Sequence, residues 1–218
     1  MHIIVTDLDG TLTTGSSWQG FRSYFKQHYS ALAYNMFFIR FLPHFPLMKL
    51  GLLNRKKTMT AWLQGEMGLM RGMPISEVNA MAEWVVFNEL WPKCRPRIFF
   101  ELEKKRLAGA QIVVVSGAYQ PIVEAFARKI EAYAIGTQLR YEDGKLQGIK
   151  LPVNSYQHKV DKVRALYPDA HIVAAYGDTL SDLPMMEMSE QPVAVYPDAK
   201  LRRVAEERGW RIIPTSFR

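Results

Sequence analysis

The chain has 218 residues, of which 48% are apolar and 12% aromatic, enough to build a buried core and to exclude disordered and fibrous classes. Lys and Arg number 28 against 21 Asp and Glu, a formal charge of +7 that asks for an anionic partner or substrate. A single cysteine, Cys94, excludes an intramolecular disulfide framework and a cysteine-rich zinc site and fits a reducing compartment, so a cytoplasmic location is expected.

The first strand is expected over residues 3–6, in an apolar run that opens without a basic region or a small-residue cleavage site, so no secretory signal is expected. Residues 15–92 then read as mainly helical, aromatic and Met-rich, a helical cap inserted into a core made of 1–14 plus 93–218. Residues 15–97 hold eleven Lys and Arg but only four acids (Glu66, Glu77, Glu83 and Glu89) and no Asp, whereas the rest of the chain is balanced at seventeen each. Within the cap, the apolar stretch 31–53 is interrupted by Arg40, Pro43, His44, Pro46 and Lys49. Its longest charge-free run is 13 residues, below the roughly 20 of a spanning helix, so no transmembrane segment is expected. It reads as a buried cap helix. Interfacial membrane contact is the alternative, supported by Arg55-Lys56-Lys57 just beyond it.

After the cap, helices are expected over 99–108, 122–130, 157–166 and 198–208. They alternate with Val- and Ile-rich strands over 112–115, 132–135, 172–175, 193–195 and 211–213. That alternation predicts an α/β fold, a doubly wound, Rossmann-like parallel sheet covered on both faces. A hairpin is expected over 139–149, where Glu142-Asp143-Gly144-Lys145 supplies the turn.

Four groups of residues fall at the ends of these strands. Asp7-Leu8-Asp9-Gly10-Thr11 follows the first strand, where open α/β sheets bind ligands, and Gly10 permits a sharp turn while the hydroxyls beyond it suit phosphate. Val115-Ser116-Gly117 ends the second, a hydroxyl and an exposed N–H before a helix. Lys159 and Lys162 compete for a place facing the crevice from the next helix. Gly177-Asp178-Thr179-Leu180-Ser181-Asp182 adds two more acids. Four carboxylates around one crevice require a cation, and an oxygen-only donor set suits Mg²⁺.

In order and over essentially the whole chain, these groups resemble the four motifs of the haloacid dehalogenase superfamily. The stretches Asp182-Leu183-Pro184-Met185-Met186 and Pro192-Val193-Ala194-Val195 resemble the subfamily related to phosphoserine phosphatase, which carries a helical cap between motifs one and two. The resemblance implies a Mg²⁺-dependent phosphomonoesterase. Asp7 would be nucleophile, Asp9 general acid and base, and Lys159 would neutralise charge. Thr11, Ser116, Gly117, Lys159 and Ser181 would hold phosphate, and Asp7, Asp9 (through its carbonyl), Asp178 and Asp182 would surround the metal. Phosphotransfer to an organic acceptor would use the same parts.

The chain departs from phosphoserine phosphatases where those enzymes clamp serine. The position of their acidic clamp residue falls on Ser16, that of their cap arginine on or near Glu66, and Ser181 replaces an Asn. A clamp rebuilt from Arg71 and Glu66 is one alternative to losing it. With Trp18, Phe21, Tyr24, Phe25, Phe37, Phe38, Trp62 and Trp84 in the cap, the expected substrate is a small or partly apolar phosphomonoester rather than free phosphoserine. The non-enzyme alternative is a basic binder of nucleic acid or membrane surface. No nucleic acid partner is expected, since RNA motifs, zinc ligands and a helix-turn-helix signature are missing. The assembly is expected to be a monomer or homodimer.

Overall fold

Ile3 and Val5 pack into one apolar cluster and Ile4 into another, the two-residue period of a strand buried on both faces. That strand, β1 (His2–Thr6), lies at the centre of the sheet in a computed structural model that describes residues 1–214, apart from the side chains of Lys49 and Arg55. Of the basic run Arg55-Lys56-Lys57, only Lys56 and Lys57 are therefore described in full.

Between β1 and β2 run α1 (Ser17–Phe25), α2 (Ala31–Phe41), α3 (His44–Lys49), α4 (Arg55–Leu69), α5 (Ile75–Val85) and α6 (Pro96–Leu107). Two π-helical turns, Lys26–Ser30 and Val86–Leu90, extend α1 and α5. The core elements follow: β2 (Gln111–Tyr119), α7 (Gln120–Arg128), β3 (Tyr133–Thr137), β4 (Leu139–Glu142), β5 (Lys145–Ile149), α8 (Gln157–Leu166), β6 (His171–Gly177), α9 (Leu183–Met186), β7 (Pro192–Val195), α10 (Ala199–Glu207) and β8 (Arg211–Ile213).

The six-stranded sheet has the order β3-β2-β1-β6-β7-β8 and is parallel throughout, as the alternation predicts. From β1 the chain builds outward through β2 and β3, then returns to β6 on the other side. The end of β1 is thus the switch point at which flanking loops part.

Residues 17–93 do not close around a core of their own. Phe21, Tyr34, Met67, Met81, Val85 and Leu90 share one apolar cluster with Ile4, Val114 and Phe126 from the sheet and α7. The expected hairpin is β4–β5, turned by Asp143 (φ 49°) and Gly144 (φ 72°), and it ties this helical segment down. Gly72 N–H donates to Leu146 O (2.7 Å), Leu146 N–H to Met73 O (2.8 Å) and Ile75 N–H to Gly144 O (3.1 Å).

Two expectations need correction. The stretch read as one buried cap helix is two helices, broken where Pro43 ends α2, and Tyr34 is the buried residue of α2 while Leu32, Met36 and Ile39 face outward. Apolar composition alone does not say which face finds a partner. The pairing of β2 also runs past Val115 to Tyr119 through a register shift, so Ser116-Gly117 sits inside a bulge rather than against the first turn of α7.

Candidate active site

Asp7 leaves β1 with its N–H still donating to Tyr176 O (2.9 Å), which holds the carboxylate over the sheet end. Gly10 then turns the chain at φ 87°, and Thr11 Oγ1 donates to Asp178 Oδ1 (3.2 Å), joining the loop after β1 to the loop after β6. Carboxylate oxygens of Asp7, Asp178 and Asp182 lie within 4.8 Å of one another.

The competition between the two lysines is resolved by contact. Lys159 is buried, with Nζ 2.5 Å from Asp7 Oδ1 and 2.6 Å from Asp182 Oδ1. Lys162 turns away and donates to Gly136 O (2.9 Å). The second oxygen of Asp182 accepts from the N–H and hydroxyl of Thr179 (both 3.1 Å), so this carboxylate clamps the loop and the lysine together. Ser181 Oγ lies 2.8 Å from Thr179 Oγ1 on the wall of the same cavity.

Asp9 stands apart from the three-acid cluster. Its carboxylate accepts from Ser17 N–H (2.8 Å) and Ser17 Oγ (2.7 Å) at the start of α1. Burial pushes its pKa up to about 6, against the pull of the two Ser17 hydrogen bonds. Burial likewise raises Asp178 to about 7, with the charge of Asp182 adding to it. Asp7 is raised by burial and by the Asp182 and Asp178 charges, although Lys159 opposes the shift. For Lys159, burial favours the neutral amine, but Asp182 and Asp7 together outweigh it and keep the ammonium charged. One cation among three crowded carboxylates leaves a deficit of positive charge, in an all-oxygen pocket that fits Mg²⁺.

Ser116 is buried, and its Oγ accepts from Ala118 N–H (3.1 Å) within the bulge. Asn154, which the sequence did not single out, supports it: Nδ2 donates to Ser116 O and Ile135 O (both 2.9 Å), and Oδ1 is buried without a partner among the described residues. A cavity of about 300 Å³ brings together Asp7, Asp9, Ser116, Gly117, Lys159, Asp178 and Ser181. Trp18, Met59, Leu63 and Val153 give it an apolar wall, and Lys56 lines it too. Thr11 and Asp182 do not line it and act from behind.

The clamp positions diverge as the sequence indicated. Ser16 offers its N–H to Glu89 Oε1 (3.4 Å). Glu66 lines the cavity but is buried, with Tyr34 Oη on one carboxyl oxygen and Tyr119 Oη on the other (both 3.0 Å), and burial pushes its pKa up to about 8. It is not paired with Arg71, which reaches Gln147 instead (3.4 Å). Of the cap aromatics, Trp18 lines the cavity, while Phe21, Tyr24, Phe25 and Trp62 are core. Cys94 packs below Leu90 O with its thiol raised to about 11 by burial, which leaves no thiolate for nucleophilic chemistry.

The chain is similar to several known proteins. A probable phosphatase of Mycobacterium tuberculosis is 30% identical over 196 residues, spanning 78% of this chain and 68% of that protein. A phosphoserine phosphatase of the same organism is 28% identical over 221 residues, 94% of this chain and 68% of the other. Among solved structures, a Bordetella pertussis protein of unknown function superposes with a TM-score of 0.79 at 21% identity, covering 97% of both chains. A probable phosphoserine phosphatase from Vibrio cholerae gives 0.67 at 19%, covering 99% of this chain and 61% of that one. These two likenesses establish the fold. The sequence model of the haloacid dehalogenase-like hydrolases matches residues 4–187, from β1 to the end of the Asp178–Asp182 loop and α9. The carboxylates at the ends of β1 and β6 therefore fall inside a match that covers most of the chain, and the chain belongs to the haloacid dehalogenase-like hydrolases.

Proposed function

We propose that the protein is a Mg²⁺-dependent phosphomonoester phosphatase that works through an aspartyl-phosphate on Asp7. The observation that carries this reading is the contact of Lys159 with Asp7 and Asp182, which holds one Asp7 oxygen and leaves the other for attack. The Asp7 oxygen attacks phosphorus, the ester P–O bond breaks, and the departing alkoxide takes a proton from Asp9. A carboxyl with a pKa near 6 is suited first to give that proton and then, as carboxylate, to take one from the water that cleaves the acyl phosphate. Inorganic phosphate leaves and Asp7 is restored. Ser116, the Gly117 N–H and Lys159 would hold the phosphoryl oxygens through both steps, with Thr11 and Ser181 supporting the loops. Mg²⁺, held by Asp7, Asp178 and the Asp9 carbonyl with Asp182 behind them, would supply positive charge to the phosphoryl group. Residues 1–14 plus 93–218 are the catalytic core in this reading and 15–92 the cap, in a cytoplasmic enzyme.

The substrate proposed is a partly apolar organic phosphate. Trp18, Met59 and Leu63 face it, and the cap position of the phosphoserine clamp holds a tyrosine-capped Glu66. Phosphoserine is the second reading, favoured by the name of the Mycobacterium relative. Hydrolysis of a chromogenic phosphate with Mg²⁺, with EDTA and by Asp7→Asn tests the chemistry. Full activity of Asp7→Asn would overturn it. A substrate panel led by phosphoserine would overturn the substrate assignment alone.

A further inference from the structure

We infer that the outer face of α2, α3 and the turn beyond them docks the protein on an anionic lipid surface. Nine of the nineteen large apolar side chains exposed among the described residues fall between Leu32 and Met59. On α2 they follow helical spacing: Leu32 (71% exposed), Met36 (64%) and Ile39 (63%) form one outward stripe. Leu42, Leu50 and Leu52, in the turns that follow, are exposed as well. The inner side of α2 is apolar too, with Phe37 tilted against Trp62 and Phe41 edge-on to it, at ring-centroid distances of 4.9 and 5.2 Å. A helix apolar on both sides, with one side uncovered, has a second apolar medium to meet.

Charge says which medium. Residues 10–65 contain seven Lys and Arg and no Asp or Glu. Arg40 and Lys57 are exposed and make no ion pair among the described residues. Arg22 and Lys26 lie over the rings of Phe38 and Tyr34, at 5.5 and 5.8 Å, beside the same helix. A groove of about 590 Å³ runs between α2 and α4, lined by Met36, Phe37 and Phe41 with the basic Arg40 among them. A second copy would bring the same cations against these, so self-association is opposed by like charge. An anionic bilayer meets both demands, apolar chains below and negative headgroups at the level of Arg40. No described helix is long and apolar enough to cross a membrane, so the face would lie on the surface. Lys56 and Met59, which line the catalytic cavity, follow a few residues further along the chain and link the cavity to this face.

The full chain is tested by co-sedimentation with vesicles of phosphatidylcholine alone or with 30% phosphatidylglycerol, a composition chosen to supply surface charge. Binding is expected to the anionic vesicles, weakened by salt, with little to the neutral ones. Leu32→Gln/Met36→Gln/Ile39→Gln and, separately, Arg40→Gln/Lys57→Gln should each weaken it at least about tenfold while leaving hydrolysis of a soluble phosphate unchanged. Met36→Trp gives an independent readout, since its emission should shift to the blue on anionic vesicles. Failure of the wild type to bind, undiminished binding by the triple variant, or an unshifted Met36→Trp spectrum would overturn the assignment. So would a wild-type dimer in light scattering that the triple variant dissolves, which would give this face to a second copy. Since binding is read apart from turnover, its failure leaves the phosphatase reading standing, and loss of turnover leaves this one.

Discussion

A Cβ placed on Gly10 would stand 2.0 Å from Oδ2 of Asp178, in a backbone whose φ of 87° already disfavours any side chain. The loop after β1 and the carboxylate after β6 are therefore packed directly on each other, and Thr11 fixes their contact from the next position. Gly10→Ala must either flip the turn or push Asp178 out of the acid cluster. The backbone part alone costs about 1–2 kcal/mol, and displacing Asp178 should lower phosphatase turnover by at least about a hundredfold with Mg²⁺ present. Activity and thermal midpoint measured on the same preparation check both parts. An alanine variant with unaltered turnover would show that Asp178 is not needed where it stands.

Lys159 bridges Asp7 and Asp182 from inside the protein, so removing its charge acts on stability and chemistry together. Lys159→Met leaves three close carboxylates without a protein cation, and breaking such a buried pair typically costs about 3–5 kcal/mol. Divalent cation replaces part of the missing charge, so Mg²⁺ should raise the thermal midpoint of the variant more than that of the wild type. Turnover should stay depressed by about 10²–10³ at saturating Mg²⁺, because the metal does not take over the fixed donor to Asp7. Calorimetry with EDTA and with Mg²⁺ measures the first effect and steady-state kinetics the second. Equal Mg²⁺ shifts in the two proteins would refute the charge-deficit argument.

Asn154 carries two buried carbonyls, those of Ser116 and Ile135, on one amide. Asn154→Ala strips both of their donors, at about 1–3 kcal/mol each where no water reaches them. The bulge that aims Ser116 would loosen as well. Denaturant midpoint should fall together with turnover, whereas Asn154→Asp should restore neither, since a carboxylate cannot donate. A fully active, fully stable alanine variant would remove Asn154 from the site.

What could be read from the sequence was what is local. β1 and its Asp7-Leu8-Asp9-Gly10 turn, the six parallel strands and the Asp143-Gly144 hairpin are each written in a few adjacent residues, by burial on both faces or by backbones that need positive φ. The partners that tune the site are not. Ser17 on Asp9 has to wait for the angle at which α1 leaves the loop, Asn154 reaches back across 38 residues to Ser116, and Tyr119 reaches Glu66 across 53. None of these leaves a periodic trace, because a single hydrogen bond between distant segments constrains one residue on each. The stretch 31–53 hides its packing for a related reason: composition says that Leu32, Met36 and Ile39 are apolar, and only the packing of α2 says that they are left outside.

Glu66 provides a pH test of the cap. Tyr119 Oη is 3.1 Å from Leu63 O and 3.0 Å from Glu66 Oε2, and one hydroxyl proton cannot serve both acceptors. A proton on Glu66 settles the conflict: the carboxyl donates to Tyr119, Tyr119 donates to Leu63 O, and Tyr34 donates to the other Glu66 oxygen. Burial agrees, raising the pKa from the ordinary 4.5 to about 8. Because the folded-state value is raised, the native state binds the extra proton between those limits. The stability it contributes is complete below about 4.5 and is lost as pH climbs through about 8, at roughly 1.4 kcal/mol per unit in between. Glu66→Gln keeps the same three hydrogen bonds, with its amide donating to Tyr119, and has nothing to titrate. Urea denaturation of both proteins from pH 5 to pH 9 reads the effect as a difference, which cancels every other titrating group. Wild type minus variant should fall steadily with rising pH and level off above about 8. A difference that does not change with pH would mean that Glu66 is ionised in the fold and that Tyr119 does not accept from it.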